Sequence, residues 1–399
     1  MARPKQQRID PRKLDDAMSD SSSDTAKTAK TPVPKGSAST AKKGGATPKA
    51  NGGVTKTRRT AAGPASAAAR AGRAENKEAR GGVTAAAPRP GRSGRPGGPL
   101  PGAPSARKAT VGDWISGARP QTLALAIAPV ALGTAIAGLT AGGWSQHWVR
   151  ALACLVVALA LQIGVNYAND YSDGVRGTDA VRQGPARLVG SGRAKPRTVR
   201  NVAFVFFGIA GLAGLFLTWR SGQWWLLAVG AVCILAAWFY TGGKRPYGYN
   251  ALGELFVFVF FGLVATVGTM FVQVGTVVPE AWIAGVAAGL FACAVLMVNN
   301  LRDREQDAKA GKRTLSVLIG DLPSRIAFAV LLLAPFGINV FFLLLFDNAL
   351  YVFFVLIAAV PAVLITLTAK TSKELVLALR LSVLSSLAFG LALAAAIAF

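Results

Sequence analysis

Two stretches of this sequence combine polar residue types with a spacing that would support chemistry. The first, VNYANDYSDGVRGTD (165–179), begins where an apolar run ends. Its amides and carboxylates are Asn166, Asn169, Asp170, Asp173 and Asp179. Residues four positions apart share one face of a helix, so Asn169 and Asp173 lie together and the stretch forms a single polar patch.

The second stretch, NNLRDREQDAKAGKRTL (299–315), also closes an apolar run. Asn299, Asp303 and Asp307 recur every four residues, and a helix turns by about 100° per residue, so all three face one way. Two carboxylate clusters facing one compartment would repel each other without a cation between them. Hard oxygen ligands suit Mg²⁺, which binds one or two carboxylates and completes its coordination with water and substrate phosphate oxygens.

The sequence therefore predicts a Mg²⁺ site and a substrate that carries a diphosphate. The predicted ligands are Asn169, Asp170, Asp173, Asp179, Asn299, Asp303 and Asp307. Basic residues near both patches support this prediction, because arginine binds phosphate oxygens through paired hydrogen bonds. Those predicted to hold the diphosphate are Arg176, Arg187, Lys195, Lys312 and Arg313.

Each of these residues also has an ordinary explanation when it is taken singly. Asp and Asn cap helix ends, and Lys and Arg collect on the cytoplasmic side of membranes. Two matched patches at the same end of two apolar runs favour a functional site, because acidic groups at the edge of a span are costly.

The elements that must position these patches are apolar runs long enough to cross a bilayer. The chain is 52% hydrophobic, and a crossing needs about 20 residues. Nine spans are predicted, at 120–141, 149–169, 199–219, 223–241, 252–275, 281–300, 324–346, 349–368 and 376–398. We therefore predict an all-α integral membrane protein whose multi-span domain covers 111–399. Totals of eight or ten spans are also compatible with the sequence, because the fourth apolar run is short and the last two runs are separated by only a few residues.

The distribution of charge predicts the orientation of the chain. Lys and Arg are concentrated in the connections after the second, fourth and sixth spans. By the positive-inside rule, the amino terminus and both polar patches face the cytoplasm of a protein in the cell membrane.

Residues 1–110 have a different composition from the rest of the chain. They hold 23 Lys and Arg against 7 Asp and Glu, a net +16 of the chain's +25, with almost no large apolar residues. Such a segment buries too little apolar surface to offset its chain entropy, so we predict a disordered basic tail. It would serve as a solvated linker or be drawn weakly to anionic lipid. Nucleic acid is not an expected partner, because no aromatic residues are interleaved with the basic ones.

Four stretches together resemble the UbiA superfamily of intramembrane aromatic prenyltransferases. They are NDYSDGVRGTD, RLVGSGRAKP, YTGGKRPYGYNALGE and NNLRDREQDAKAGKRTL, and the resemblance covers about 113–399. It is closest to the branch that prenylates 1,4-dihydroxy-2-naphthoate in menaquinone synthesis.

The resemblance implies a nine-helix bundle in which two Asp-rich motifs hold an isoprenoid diphosphate through Mg²⁺. It assigns catalysis to Asp173, Asp303 and Asp307. Asn169 and Asp173 fit the first motif, but Asp179 follows Asp173 by six residues where many members have four.

By the same resemblance, a polyprenyl group passes from a polyprenyl diphosphate to 1,4-dihydroxy-2-naphthoate. Diphosphate and CO2 are released, and the product is demethylmenaquinol. The residues expected to bind the naphthoate are Tyr240, Lys244, Arg245, Tyr247 and Tyr249. Glu254 either orients this loop or is a helix N-terminal charge without a chemical role.

Two other functions stay open at this stage. In the first, the protein is a prenyltransferase of another branch of the superfamily, and its acceptor is another aromatic compound such as 4-hydroxybenzoate. In a different class, many spans with acidic residues and glycines would also describe a cation-coupled transporter. The acidic patches lie at span ends and not near the midplane, which argues against a transporter.

Overall fold

The computed structural model describes residues 107–141, 147–178 and 187–399. The predicted tail therefore lies outside the described residues except for its last four positions. The helices are α1 (Val111–Ala118), α2 (Ala124–Ala141), α3 (Trp148–Arg176), α4 (Pro196–Ser221), α5 (Leu226–Phe239), α6 (Gly253–Val257), α7 (Ala265–Val274), α8 (Pro279–Lys309), α9 (Leu315–Ile319), α10 (Asp321–Leu343), α11 (Leu356–Thr368) and α12 (Ser372–Ala398). Short 3₁₀ segments precede α2 and α11, at Pro120–Leu123 and Asp347–Val355.

The predicted all-helical membrane fold is confirmed. Within the described residues, eight helical segments are long and apolar enough to cross a membrane. The predicted span at 223–241 is the shorter apolar helix α5, whose 14 residues rise about 21 Å against a hydrocarbon core of roughly 30 Å. The residues at its two ends must supply the rest of that crossing.

Three of the spans form the centre of the bundle. More than half of the apolar window is buried in the segment that contains α2, in α8 and in α12, against a third or less in the other five long spans. The chain order places the last residues of α3 and α8 and the first residues of α12 at one end of the bundle, here called the motif face. Both polar patches therefore lie at the motif face, beside a buried helical centre.

Glycines bring some of the helices into backbone contact, because a residue without a Cβ permits close approach. A Cβ on Gly133 of α2 would lie 2.3 Å from the carbonyl oxygen of Thr266. The segment between α6 and α7, Phe258–Val264, is π-helical and not α-helical. π-Helical turns are frequent at functional sites, and this one lies against α8.

Replacing Gly262 by valine is expected to destabilise the fold. A Cβ there would lie 2.5 Å from the Gly285 carbonyl oxygen and 2.6 Å from the Gly289 Cα, and neither backbone atom can move aside. Overpacking of this kind costs roughly 1–3 kcal/mol or more. The measurement is the thermal unfolding midpoint of the purified protein. Gly337→Val is the control, because a Cβ at Gly337 meets nothing within 4 Å; equal midpoints for both variants would contradict the prediction.

Candidate active site

The last two turns of α3 carry the first polar patch, and Asp173 is its most highly connected member. Its side chain is buried and accepts a hydrogen bond from the Tyr249 hydroxyl. The Arg187 guanidinium lies 3.3 Å from Oδ2 of Asp173. Burial, and then the neighbouring Asp173 carboxylate, raise the pKa of Tyr249 above its usual value, so the phenol stays protonated and donates.

Lys312 brings the two patches together. Its Nζ lies 3.5 Å from Oδ1 of Asp173 on α3 and 3.5 Å from Oδ1 of Asp307 on α8. The same ammonium lies 4.7 Å from the centre of the Tyr249 ring, in a cation–π contact. Carboxylates that are 134 positions apart in sequence are therefore within reach of a single cation.

Asp303 is paired with a residue that the sequence analysis did not place in the site. Arg302 donates two hydrogen bonds of 2.7 Å to the Asp303 carboxylate and a third of 2.9 Å to Oδ1 of Asn299. Arginine binds planar carboxylates in this forked manner. Arg302 thus fixes two of the three predicted members of the second patch.

Asp170, one of the predicted metal ligands, lines the cavity described below, and its hydrogen bonds are made to backbone groups. Its two oxygens accept the backbone N–H groups of Leu188 and Val189, at 2.9 and 3.0 Å. Asp170 therefore holds the segment that follows α3, which also carries Arg187. Its position one residue from Asn169 in sequence gave no sign of this role.

Asp170→Asn is expected to loosen that segment. The amide of asparagine keeps one acceptor and turns an NH2 group toward a backbone N–H, and leaving a buried donor unpaired costs roughly 1–3 kcal/mol. In Asp170→Asn, hydrogen–deuterium exchange of the backbone amides at 187–195 should accelerate. The control is Asp347→Asn, which removes an exposed carboxylate elsewhere in the chain and should leave exchange at 187–195 unchanged. Unchanged exchange in the Asp170 variant would show that the segment is held by other contacts.

Three of the five predicted diphosphate ligands, Arg176, Lys195 and Arg313, are not among the residues that line the cavity described next. Arg176 donates to the carbonyl oxygens of Thr241 and Gly243, so its guanidinium closes the loop after α5. Lys195 is exposed at the start of α4, and Arg313 is exposed while its backbone N–H pairs with the Tyr249 carbonyl. Arg187 and Lys312 remain, and both line the cavity described next.

A cavity of about 980 Å³ opens from the two patches into the bundle. Its polar end includes Asn169, Asp173, Asn299, Asp303 and Asp307. Its apolar lining includes the buried cluster Val130, Cys154, Leu217 and Val272. From Asp173 to Cys154 the cavity follows α3 for 19 residues, or about 28 Å, which is close to the thickness of the hydrocarbon core.

Aromatic side chains line the wall of the cavity near the polar end. Tyr240 and Tyr247 meet edge to face at 5.5 Å, and Tyr247 stacks on Phe256 at 4.1 Å. These three residues and Tyr249 line the cavity, as does Phe260 of the π-helical segment. Lys244 and Arg245 are exposed and do not line it, so the prediction that they bind the acceptor is not supported.

Glu254 is buried in the first turn of α6 and has a contact that the sequence could not show. Its Oε1 accepts a hydrogen bond of 3.1 Å from Nδ2 of Asn300. Asn300 lines the cavity beside Asn299, so Glu254 fixes the loop after α5 relative to the second patch. The interpretation of Glu254 as only a terminal charge is therefore incomplete.

Several residues that line the cavity were missed by the sequence analysis. They are Arg119, Gln162, Arg302, Thr314 and Arg380. Arg380 carried a usable signal, because it is a charged residue inside an apolar helix. Arg119 was less accessible to prediction, since it lies in a turn with a left-handed backbone conformation before Pro120. Asp179 lies outside the described residues.

The residues present fit Mg²⁺ only if the substrate contributes ligands. Two carboxylates from different patches converge on one ammonium, and amide and further carboxylate oxygens line the same end of the cavity. Within the part of the chain that the structure describes, no group of three or more His, Cys, Asp or Glu side chains would hold a metal by itself. Mg²⁺ commonly binds through one or two carboxylates together with substrate phosphates.

A helical membrane bundle with a charged site at one end of a long, largely apolar cavity suits a molecule with a charged head and an apolar tail. Residues 127–387 match the UbiA prenyltransferase family, and the chain belongs to that family.

Relatives and a solved structure agree with this membership. The chain is 48% identical over 297 residues to the 1,4-dihydroxy-2-naphthoate octaprenyltransferase of Mycobacterium tuberculosis, covering 73% of this chain and 98% of the relative. It is 36% identical over 254 residues to the enzyme of the same name from Escherichia coli, covering 62% and 81%. A solved UbiA homolog from Archaeoglobus fulgidus, bound to GPP and Mg²⁺, shares the fold with a TM-score of 0.50 at 15% identity, covering 71% of this chain and 99% of the homolog.

Proposed function

We propose that this protein transfers a polyprenyl group from a polyprenyl diphosphate to 1,4-dihydroxy-2-naphthoate and releases CO2 and diphosphate to give demethylmenaquinol. The observation that carries the proposal is the convergence of Asp173, Asp307 and Lys312 at the mouth of an apolar cavity about 28 Å deep. A diphosphate head and a prenyl tail would fit these two environments together. The names of the two relatives supply the naphthoate as acceptor.

We assign the diphosphate to the polar end of the cavity. Asp173, Asn299, Asp303 and Asp307 would hold Mg²⁺ with it, and the metal when bound would help neutralise the leaving diphosphate. Lys312 and Arg187 would add positive charge to the diphosphate oxygens as the carbon–oxygen bond breaks and its electron pair stays on oxygen. Asn169 accepts a hydrogen bond of 2.7 Å from Thr241, which orients its amide at the same end.

The acceptor ring would stack near the tyrosines of the aromatic wall. Tyr240, Tyr247 and Phe256 present ring edges and faces there. Arg119 also lines the cavity, and we assign it to the carboxylate of the naphthoate. The ring carbon that bears this carboxylate attacks the allylic carbon, and the carboxylate leaves as CO2. The apolar cavity excludes water, which would otherwise capture the allylic cation.

We place the reaction at the cytoplasmic side of the cell membrane, since the motif face carries the basic connections. Residues 111–399 are proposed to form the catalytic domain, and residues 1–110 a separate basic segment. Neither the alternative acceptor 4-hydroxybenzoate nor a transporter gains support from the relatives or from the site.

A transfer assay tests the proposal. Purified protein in phosphatidylcholine nanodiscs receives a radiolabelled polyprenyl diphosphate with either 1,4-dihydroxy-2-naphthoate or 4-hydroxybenzoate, in the presence of Mg²⁺ or of EDTA. We expect a labelled lipid quinol from the naphthoate alone, and only with Mg²⁺. If 4-hydroxybenzoate alone gives a product, the acceptor is 4-hydroxybenzoate and our assignment of the naphthoate is wrong. If folded protein forms a product from neither compound, the proposed reaction is refuted.

A further inference from the structure

Arg380 is a cation of the cavity wall that the proposed reaction leaves without a role. It lies in α12, eight residues after Ser372 and thus about 12 Å along the helix from the motif face. The surrounding sequence, LVLALRLSVL, is otherwise apolar. A charged side chain inside a membrane-spanning helix is costly, and its position beside a cavity points to a binding partner.

The partners of the cavity-lining cations set Arg380 apart. Arg187 contacts Asp173, Arg302 contacts Asp303, and Lys312 contacts both Asp173 and Asp307. No ion pair or hydrogen bond of the Arg380 side chain is found among the described residues. The charge of Arg380 is therefore available to an anion that is not part of the described chain.

The location of Arg380 indicates where such an anion would approach. Arg380, Pro120 and Gln121 are exposed and line the cavity, and α12 packs against the 3₁₀ segment Pro120–Leu123. They form part of the rim of the cavity, which Asn299 of the second patch also lines. A substrate whose tail lies in the bilayer would bring its head past this rim before it reaches the two patches.

We propose that Arg380 captures the diphosphate head of the prenyl substrate at the rim and delivers it to Asp173, Asp307 and Lys312. The inference rests on the proposed function. Arg380 belongs to capture and not to bond breaking, because Lys312 and Arg187 already contact the carboxylates where the diphosphate is assigned. Arginine offers five donors in a planar fork, which matches phosphate oxygens better than the single ammonium of lysine.

Steady-state kinetics in phosphatidylcholine nanodiscs test this role. Arg380→Gln should raise the KM for polyprenyl diphosphate about tenfold with kcat nearly unchanged, because a charge-assisted hydrogen bond is lost before the chemical step. The KM of Arg380→Lys should lie between those of the wild type and of Arg380→Gln, because lysine keeps the positive charge but lacks the planar, forked donors of the guanidinium. Lys373→Gln is the matched control: it removes one positive charge from the exposed start of the same helix, outside the cavity lining, and should leave both constants unchanged.

A second measurement separates this inference from the proposed reaction. Binding of a polyprenyl thiolodiphosphate, an analogue whose carbon–sulfur bond resists cleavage, should weaken about tenfold in Arg380→Gln whether or not the naphthoate is the acceptor. An unchanged KM and Kd would overturn the inference, as would an increase confined to the KM for the naphthoate. An effect that appears in anionic-lipid nanodiscs but not in phosphatidylcholine would assign the arginine to a lipid headgroup and overturn it as well.

Discussion

Asp303→Asn is expected to lower the rate of prenyl transfer by about 10²–10³-fold. The substitution removes a negative charge at the place where we assign Mg²⁺ and the leaving diphosphate, and electrostatic groups at such positions contribute factors of about 10²–10³ each. A neutral amide also pairs poorly with Arg302, which now donates two hydrogen bonds to the Asp303 carboxylate. Transfer to 1,4-dihydroxy-2-naphthoate at saturating Mg²⁺ measures the loss.

The matched control is Asp321→Asn. Asp321 lies at the start of α10 and pairs with Arg325 at 2.6 Å, but it does not line the cavity. Asp321→Asn removes the acidic partner of an ion pair that is remote from the cavity. The transfer rate should therefore change by less than about twofold, because exposed ion pairs contribute little. Activity in the Asp303 variant within tenfold of the wild type would contradict the assignment of the second patch.

Lys312→Gln is expected to lower kcat by about 10²–10³-fold. It removes the ammonium that lies 3.5 Å from both Asp173 and Asp307, so the leaving diphosphate loses a positive charge that is already in position. The two carboxylates would also lose the ammonium that competes with a metal ion for them, so we expect a lower Mg²⁺ concentration for half-maximal activity of the residual enzyme.

Lys309→Gln is the control for the Lys312 variant. Lys309 is exposed in the last turn of α8 and lies outside the cavity lining, so it tests loss of a positive charge in the same segment. Its kinetic constants should match those of the wild type. If Lys312→Gln shows only an increase in the KM for prenyl diphosphate, Lys312 contributes to binding alone, and its assigned role in the transition state is wrong.

The fold was largely predictable because membrane crossing is a local property of sequence. Apolar runs of about 20 residues must form helices, since no water is present to satisfy the backbone. Eight of the nine predicted spans correspond to long helices, and α5 is the run whose shortness had left the count open. The π-helical segment Phe258–Val264 was not predicted. Its Gly262 lies in close backbone contact with Gly285 and Gly289 of α8, a tertiary contact that no local pattern reports.

The sequence by itself determined that two polar patches end two helices and that each presents its residues on one face, because helical periodicity fixes which neighbours lie together. It could not separate Asp173, which faces the cavity partners Arg187 and Lys312, from Asp170, whose oxygens bind backbone N–H groups. The same limit applied to the cations. Arg176 and Lys244 lie near the patches or the aromatic loop in sequence and outside the cavity lining in space, while Arg380 is remote in sequence and lies on the rim. Only tertiary packing decides these cases, because contacts between α3, α8 and α12 join side chains that no local spacing relates.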